Sequence, residues 1–209
     1  MQDIKKIIVF LSSPSDLLQE RKLAENAIKD TDKYHFEIFD FSKVASEFGD
    51  KPQNIINAQL PNFDIYIGIM GQRFGTATDS HGSGTEEEFR IALEKKKSGK
   101  SVHVALLFKT IETPVSSMSV SDLDQIIKVR NFQTSVSSEG AYQSFGNEDE
   151  LSNHVRQIIN RFVADCNSES TEQMYQAEML TEVPSRDVFA IDKTYFYSVL
   201  NSVGVSEPS

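Results

Sequence analysis

Apolar residues fill every position of Ile7-Ile8-Val9-Phe10-Leu11. They fill nearly every position of Asp64-Ile65-Tyr66-Ile67-Gly68-Ile69-Met70 and of Val102-His103-Val104-Ala105-Leu106-Leu107-Phe108. Short runs without a polar face predict strands covered on both sides, as in a parallel sheet. Phe36-Glu37-Ile38-Phe39-Asp40-Phe41 alternates aromatic and acidic residues and predicts another strand, and residues 142–145 predict a short fifth. Between these runs the apolar spacing lengthens to a helical period. Leu17, Leu18, Ala24, Ala27 and Ile28 share one helical face; so do Phe89, Ala92 and Leu93, and then Leu151, Val155, Ile158, Ile159 and Phe162. Weaker helix signals lie at 52–60, stopped by Pro61, and at 122–130. Strands alternating with helices predict an α/β fold: an open, parallel five-stranded sheet, expected in the order 2-1-3-4-5, with helices on both faces.

The punctuation agrees with this pattern. Lys95, Lys96 and Lys97 suit a helix C-terminus, and Gly99 suits the position just past it. Asn147 is placed to cap a helix whose first turn carries Glu148, Asp149 and Glu150. The α/β domain is expected to close near Asp165, giving a domain over 1–166 and an acidic linker or docking tail over 167–209. The tail carries seven acids against Arg186 and Lys193, half of the chain's net charge of −10. Two helix signals fall in it, around 172–180 and 192–203. The apolar stripe of Tyr195, Phe196, Val199 and Leu200 is expected to dock on the α/β domain or on a partner chain.

Charge and composition narrow the functions. A net charge of −10 argues against nonspecific binding to nucleic acid or to an anionic membrane surface. One cysteine, Cys166, excludes an intrachain disulfide and a multi-cysteine metal site. No apolar stretch approaches a membrane span, and the opening residues lack the apolar region of a signal peptide, so a cytoplasmic protein is expected. The histidines are scattered, and no metal-ligand cluster of useful spacing is present. Neither a dinucleotide-binding Gly-x-Gly-x-x-Gly nor a P-loop occurs.

In an open α/β sheet, ligands bind beyond the carboxyl ends of the strands where the strand order reverses. With order 2-1-3-4-5, the loops that meet there are residues 12–16 and 71–84. The first offers Ser12, Ser13, Ser15 and Asp16, either as helix caps or as hydroxyls and free amides for ribose or phosphate oxygens. The second carries Gly71, Gly75, Gly82 and Gly84, which permit close approach of backbone to a ligand, and Arg73, which suits either a phosphate or a surface ion pair. At its end Thr85-x-x-Glu88 fits a capping box, and spacing alone favours that role for Glu88. The alternative turns Glu88 into the cleft, where a helix N-terminus favours an ionised carboxylate fit to serve as nucleophile or cation stabiliser.

Two stretches carry a family resemblance. Val9-Phe10-Leu11-Ser12-Ser13-Pro14-Ser15-Asp16-Leu17-Leu18-Gln19-Glu20-Arg21 resembles the opening of a TIR-like domain of unknown function. That domain occurs N-terminal to STAND-type NTPases and in bacterial conflict systems. Asp64 to Gly75, with Gly71-Gln72-Arg73-Phe74-Gly75 at its end, followed by Ser83-Gly84-Thr85-Glu86-Glu87-Glu88-Phe89, resembles its second signature. The resemblance covers roughly residues 5–165. It implies a fold similar to TIR domains and nucleoside 2-deoxyribosyltransferases. In the latter, the glutamate of the pattern matched by Ser83, Gly84, Thr85 and Glu88 is the nucleophile at the anomeric carbon. It also implies cleavage of an N-glycosidic bond in a nucleotide such as NAD, as substrate rather than cofactor, with Glu88 catalytic. Ser12, Ser13, Asp16, Gly71, Arg73 and Thr85 are then expected around the substrate, in an effector that self-associates or recruits a partner. The alternative is a noncatalytic TIR-like module for assembly, partner recruitment or nucleotide sensing.

Overall fold

The computed structural model describes residues 6–31, 35–40, 62–75, 77 and 81–181. Its elements in chain order are β1 (Lys6–Ser12), a 3-10 turn (Ser15–Leu17), α1 (Leu18–Lys29), β2 (His35–Asp40), β3 (Ile65–Met70), α2 (Gly84–Lys97), β4 (His103–Lys109), a second 3-10 turn (Val115–Ser117), α3 (Val120–Ser137), β5 (Gln143–Phe145) and α4 (Glu148–Thr181). The five strands form one sheet in the order β2-β1-β3-β4-β5, every pair parallel. The expected α/β architecture and strand order are both found. The helix signal at 52–60 and the stripe at 195–200 lie outside the described residues.

The all-apolar strands take the centre of the sheet. All six residues of β3 are buried, and so are Ile7, Val9, Phe10 and Leu11 of β1. Alternation sorts their side chains. Phe10, Tyr66, Leu106 and Phe108 face α2 and α3, where they join Phe89, Ala92, Val129, Phe132 and Val136 in one cluster rich in edge-to-face rings. On the other face, His103 meets Phe162 of α4 edge-on at 5.1 Å between ring centres, and Gln19 of α1 bonds Glu148 of α4 at 2.6 Å. His103 is thus half-buried against an aromatic ring rather than aimed at a ligand site.

Two local expectations are corrected. Leu18 opens α1 but is 69% exposed; Leu17, in the preceding 3-10 turn, takes the buried place. No side chain of the serine-rich loop caps that turn or α1. Gly99 does follow α2 with φ +83°, a conformation that favours glycine. The chain divides into two compact units, Met1–Val163 and Ala164–Ser209. Within the second, the described residues 164–181 are helical. α4 runs on past Asp165 and takes in the helix signal at 172–180. Among the described residues no helix is long and apolar enough to cross a membrane.

Candidate functional site

The sequence around the start of α2 contains two overlapping capping patterns, Ser83-x-x-Glu86 and Thr85-x-x-Glu88. The structure uses the first. Ser83 is the N-cap, its hydroxyl oxygen accepting the Glu86 amide at 3.1 Å, and the Glu86 carboxylate accepts the Gly82 amide at 3.0 Å. Starting there places Thr85, Glu88, Phe89 and Ala92, spaced three and four apart, on the buried face of α2. The capping role expected for Thr85 and Glu88 is thereby overturned. Thr85 lies within the first turn, and the Glu88 carboxylate turns inward.

What it meets is the end of β1. The Ser12 hydroxyl donates a short hydrogen bond to the Glu88 carboxylate, joining residues 76 positions apart. Register explains the meeting. Ser12 pairs with Gly68 of β3, and both lie on the α2 side of the sheet. Gly68 leaves room for the ring of Tyr66, since a Cβ there would stand 3.0 Å from the phenol oxygen and 2.7 Å from Leu106. The phenol donates to the Thr85 carbonyl at 3.2 Å and lies within hydrogen-bonding reach of Ser12. Behind them the Arg21 guanidinium donates to the Leu11 carbonyl at 2.9 Å, and its charge acts on Glu88.

Electrostatics make this corner unusual. Burial pushes the Glu88 carboxyl up from 4.5 to about 7; the Ser12 hydrogen bond and Arg21 pull it back, and the Glu87 carboxylate adds to the rise. Near neutral pH the group is therefore divided between acid and carboxylate, as a residue that exchanges charge with a ligand requires. The Tyr66 phenol is pushed well above its ordinary value, first by burial and then by the neighbouring Glu88. It remains a neutral donor.

A cavity of about 410 Å³ lies at the same carboxyl edge of the sheet, lined by Asp16, Gln72, Arg73, Asp122 and Gln125. Gln125 accepts the Phe74 amide at 3.0 Å and Gln72 donates to Thr113 at 2.8 Å, so both amides are fixed by protein partners. Asp122 closes the capping box of α3 with Ser119, which holds its carboxyl below the ordinary range. Loss of water raises the Asp16 carboxyl, against the opposing pull of Arg73. Arg73 thus stands between two carboxylates rather than alone.

The expected site residues divide into groups. Ser12, Thr85 and Glu88 meet in the buried corner, and Asp16 and Arg73 meet in the cavity. Gly71 is buried, and its open side is filled by Leu17, whose Cδ2 would stand 2.9 Å from an added Cβ. Its lack of a side chain therefore serves packing. Ser13 is half-buried and lines neither group. Tyr66, Arg21, Asp122 and Gln125 were not anticipated. Tyr66 alone carried a signal: a phenol inside an otherwise apolar strand needs a buried partner. Among the described residues no group of three or more histidine, cysteine or acidic side chains is placed to hold a metal ion.

Comparison with known proteins adds a family and no activity. The family described as "Domain of unknown function (DUF4062)" matches residues 8–160. No curated protein matches the chain. The match spans well over half of the sequence and contains most of β1, the loop after it and the start of α2, so the chain belongs to the DUF4062 family.

Proposed function

For this member of the DUF4062 family, we propose a TIR-like effector domain that cleaves the N-glycosidic bond of a nucleotide such as NAD, in the cytoplasm, within a defence or signalling assembly. The observation that carries the proposal is the Glu88 carboxyl. It is released from helix capping, joined to Ser12 at the sheet's crossover, and poised near neutrality. In the reaction the bond between the ribose anomeric carbon and the nicotinamide nitrogen breaks. The bonding pair stays with the nitrogen, which becomes neutral, so no general acid is needed for departure. The Glu88 carboxylate stabilises the oxocarbenium ion, or traps it as a glycosyl ester whose carbon–oxygen bond then breaks to return the carboxylate; in either case water adds its oxygen to that carbon and releases a proton. Glu88 must be ionised for this, so the rate is expected to rise with pH through about 7. Ser12 holds the carboxylate until substrate takes its place. Asp16 suits ribose hydroxyls, and Arg73 exchanges a carboxylate partner for phosphate. The test is nicotinamide release from NAD by wild type and by Glu88→Gln. Loss of release in the variant supports the mechanism, and equal rates remove Glu88 from it.

One observation favours a second reading. Glu88 is only 5% exposed, and the cavity is lined by Asp16 and Arg73 but not by Ser12 or Glu88. A noncatalytic module would bind a nucleotide in that cavity and break no bond, using the bound state for assembly or partner recruitment. Calorimetry separates the two. NAD binding that is lost in Arg73→Ala, with no nicotinamide released by an assembled wild-type sample, favours the module.

A further inference from the structure

We infer that a second cavity, between α2 and α3, binds an organic anion with an apolar body and a single anionic head. It encloses about 430 Å³ and shares no lining residue with the Asp16–Arg73 cavity. That volume falls in the range of small-molecule sites, roughly 300–1,000 Å³. Its floor is made by Phe89 and Leu93 of α2, Val104 and Leu106 of β4, Val136 of α3 and Tyr142 before β5. Hydrocarbon laid on these groups leaves water without giving up a hydrogen bond.

The polar groups stand at the edge, and their charge is one-sided. Lys96, Lys97 and Arg161 are cationic, and Glu139 is the single acid. Glu139 is already matched twice, by a short ion pair to Arg90 and by Lys97 at 2.9 Å, and these partners hold its carboxyl below the ordinary range. Neither Lys96 nor Arg161 has an ion-pair partner among the described residues. A cationic rim with two unmatched charges, in a chain of net charge −10, complements a carboxylate or sulfonate. Among the floor's side chains only the Tyr142 phenol is polar, too few groups to read both a base and a sugar, which sets the ligand apart from the nucleotide proposed above.

The experiment is a fluorescence titration with 8-anilinonaphthalene-1-sulfonate, an aryl anion, followed by displacement with decanoate, decanol and decylammonium. One saturable site per chain is expected, displaced by decanoate about tenfold or more better than by decanol, with decylammonium weakest. The double variant Lys96→Glu/Arg161→Glu should weaken binding by about tenfold or more. Lys22→Glu/Lys29→Glu, which makes the same change in net charge on α1, should leave it unchanged. Thermal melts of both variants establish that they are folded. The inference is overturned by binding that does not saturate, by equal displacement by decanoate and decanol, or by equal effects of the two double variants. It is also overturned if sedimentation shows a wild-type dimer that the Lys96→Glu/Arg161→Glu variant breaks, since a second copy would then occupy the groove.

Discussion

Replacing Glu88 by glutamine should make the protein more stable at alkaline pH and change it little in mild acid. Unfolded, the carboxyl titrates near 4.5; folded, burial raises it to about 7. Between those values the native state holds more protons than the unfolded state, so stability falls as pH rises through that window. Below 4.5 the carboxyl is neutral in both states and its contribution is intact; above about 7 it is charged in both and the contribution is lost. At roughly 1.4 kcal/mol per pH unit, the gap between the two values is worth about 3 kcal/mol. Glutamine retains the shape and still accepts from Ser12, but it cannot ionise. Glu88→Gln should therefore exceed wild type by about 3 kcal/mol at pH 8 and by less than about 1 kcal/mol at pH 5. Urea unfolding followed by circular dichroism at pH 5, 6, 7 and 8 measures both curves. A difference that stays constant from pH 5 to pH 8 would refute the buried, proton-exchanging carboxyl.

Other consequences concern the walls of the same corner. Gly68→Ala places a Cβ 2.7 Å from Leu106 and 3.0 Å from the Tyr66 oxygen, and overpacking of this kind costs about 1–3 kcal/mol, read as a lower midpoint in urea. Ser83→Ala removes the true cap of α2 and should cost about 1 kcal/mol in the same assay. Tyr66→Phe deprives the Thr85 carbonyl of its phenol donor and should also cost about 1 kcal/mol, with unchanged secondary structure by circular dichroism.

The sheet was legible because its central strands have no polar face, and a short apolar run such as residues 65–70, between strand and helix signals that alternate, suits a strand covered on both sides. Position along the chain also brought the right loops together, for Ser12 and Glu88 do meet. The local decisions were harder to read. Ser83-x-x-Glu86 and Thr85-x-x-Glu88 are equal as capping patterns, and the choice falls to the helix face that must be buried against β3, a tertiary matter. Leu17 and Leu18 are interchangeable by hydropathy, yet only Leu17 finds the open side of Gly71. The role of Tyr66 depends on the pairing of Ser12 with Gly68, whose missing side chain leaves room for the phenol ring, and pairing alone reveals that. The continuation of α4 past Asp165 is announced only by the weak helix signal at 172–180 and an absence of glycine and proline up to Thr181.

The proposed reaction requires the Glu88 carboxyl to face a sugar. A structure of the protein with a carbocyclic NAD analogue, whose ring cannot be cleaved, addresses it directly. The ring carbon that bears the nicotinamide should lie within about 3.5 Å of a Glu88 carboxylate oxygen, with the Ser12 hydroxyl turned from Glu88 toward the ligand. An analogue bound against Arg73 while Ser12 still closes on Glu88, or bound elsewhere on the molecule, would contradict it.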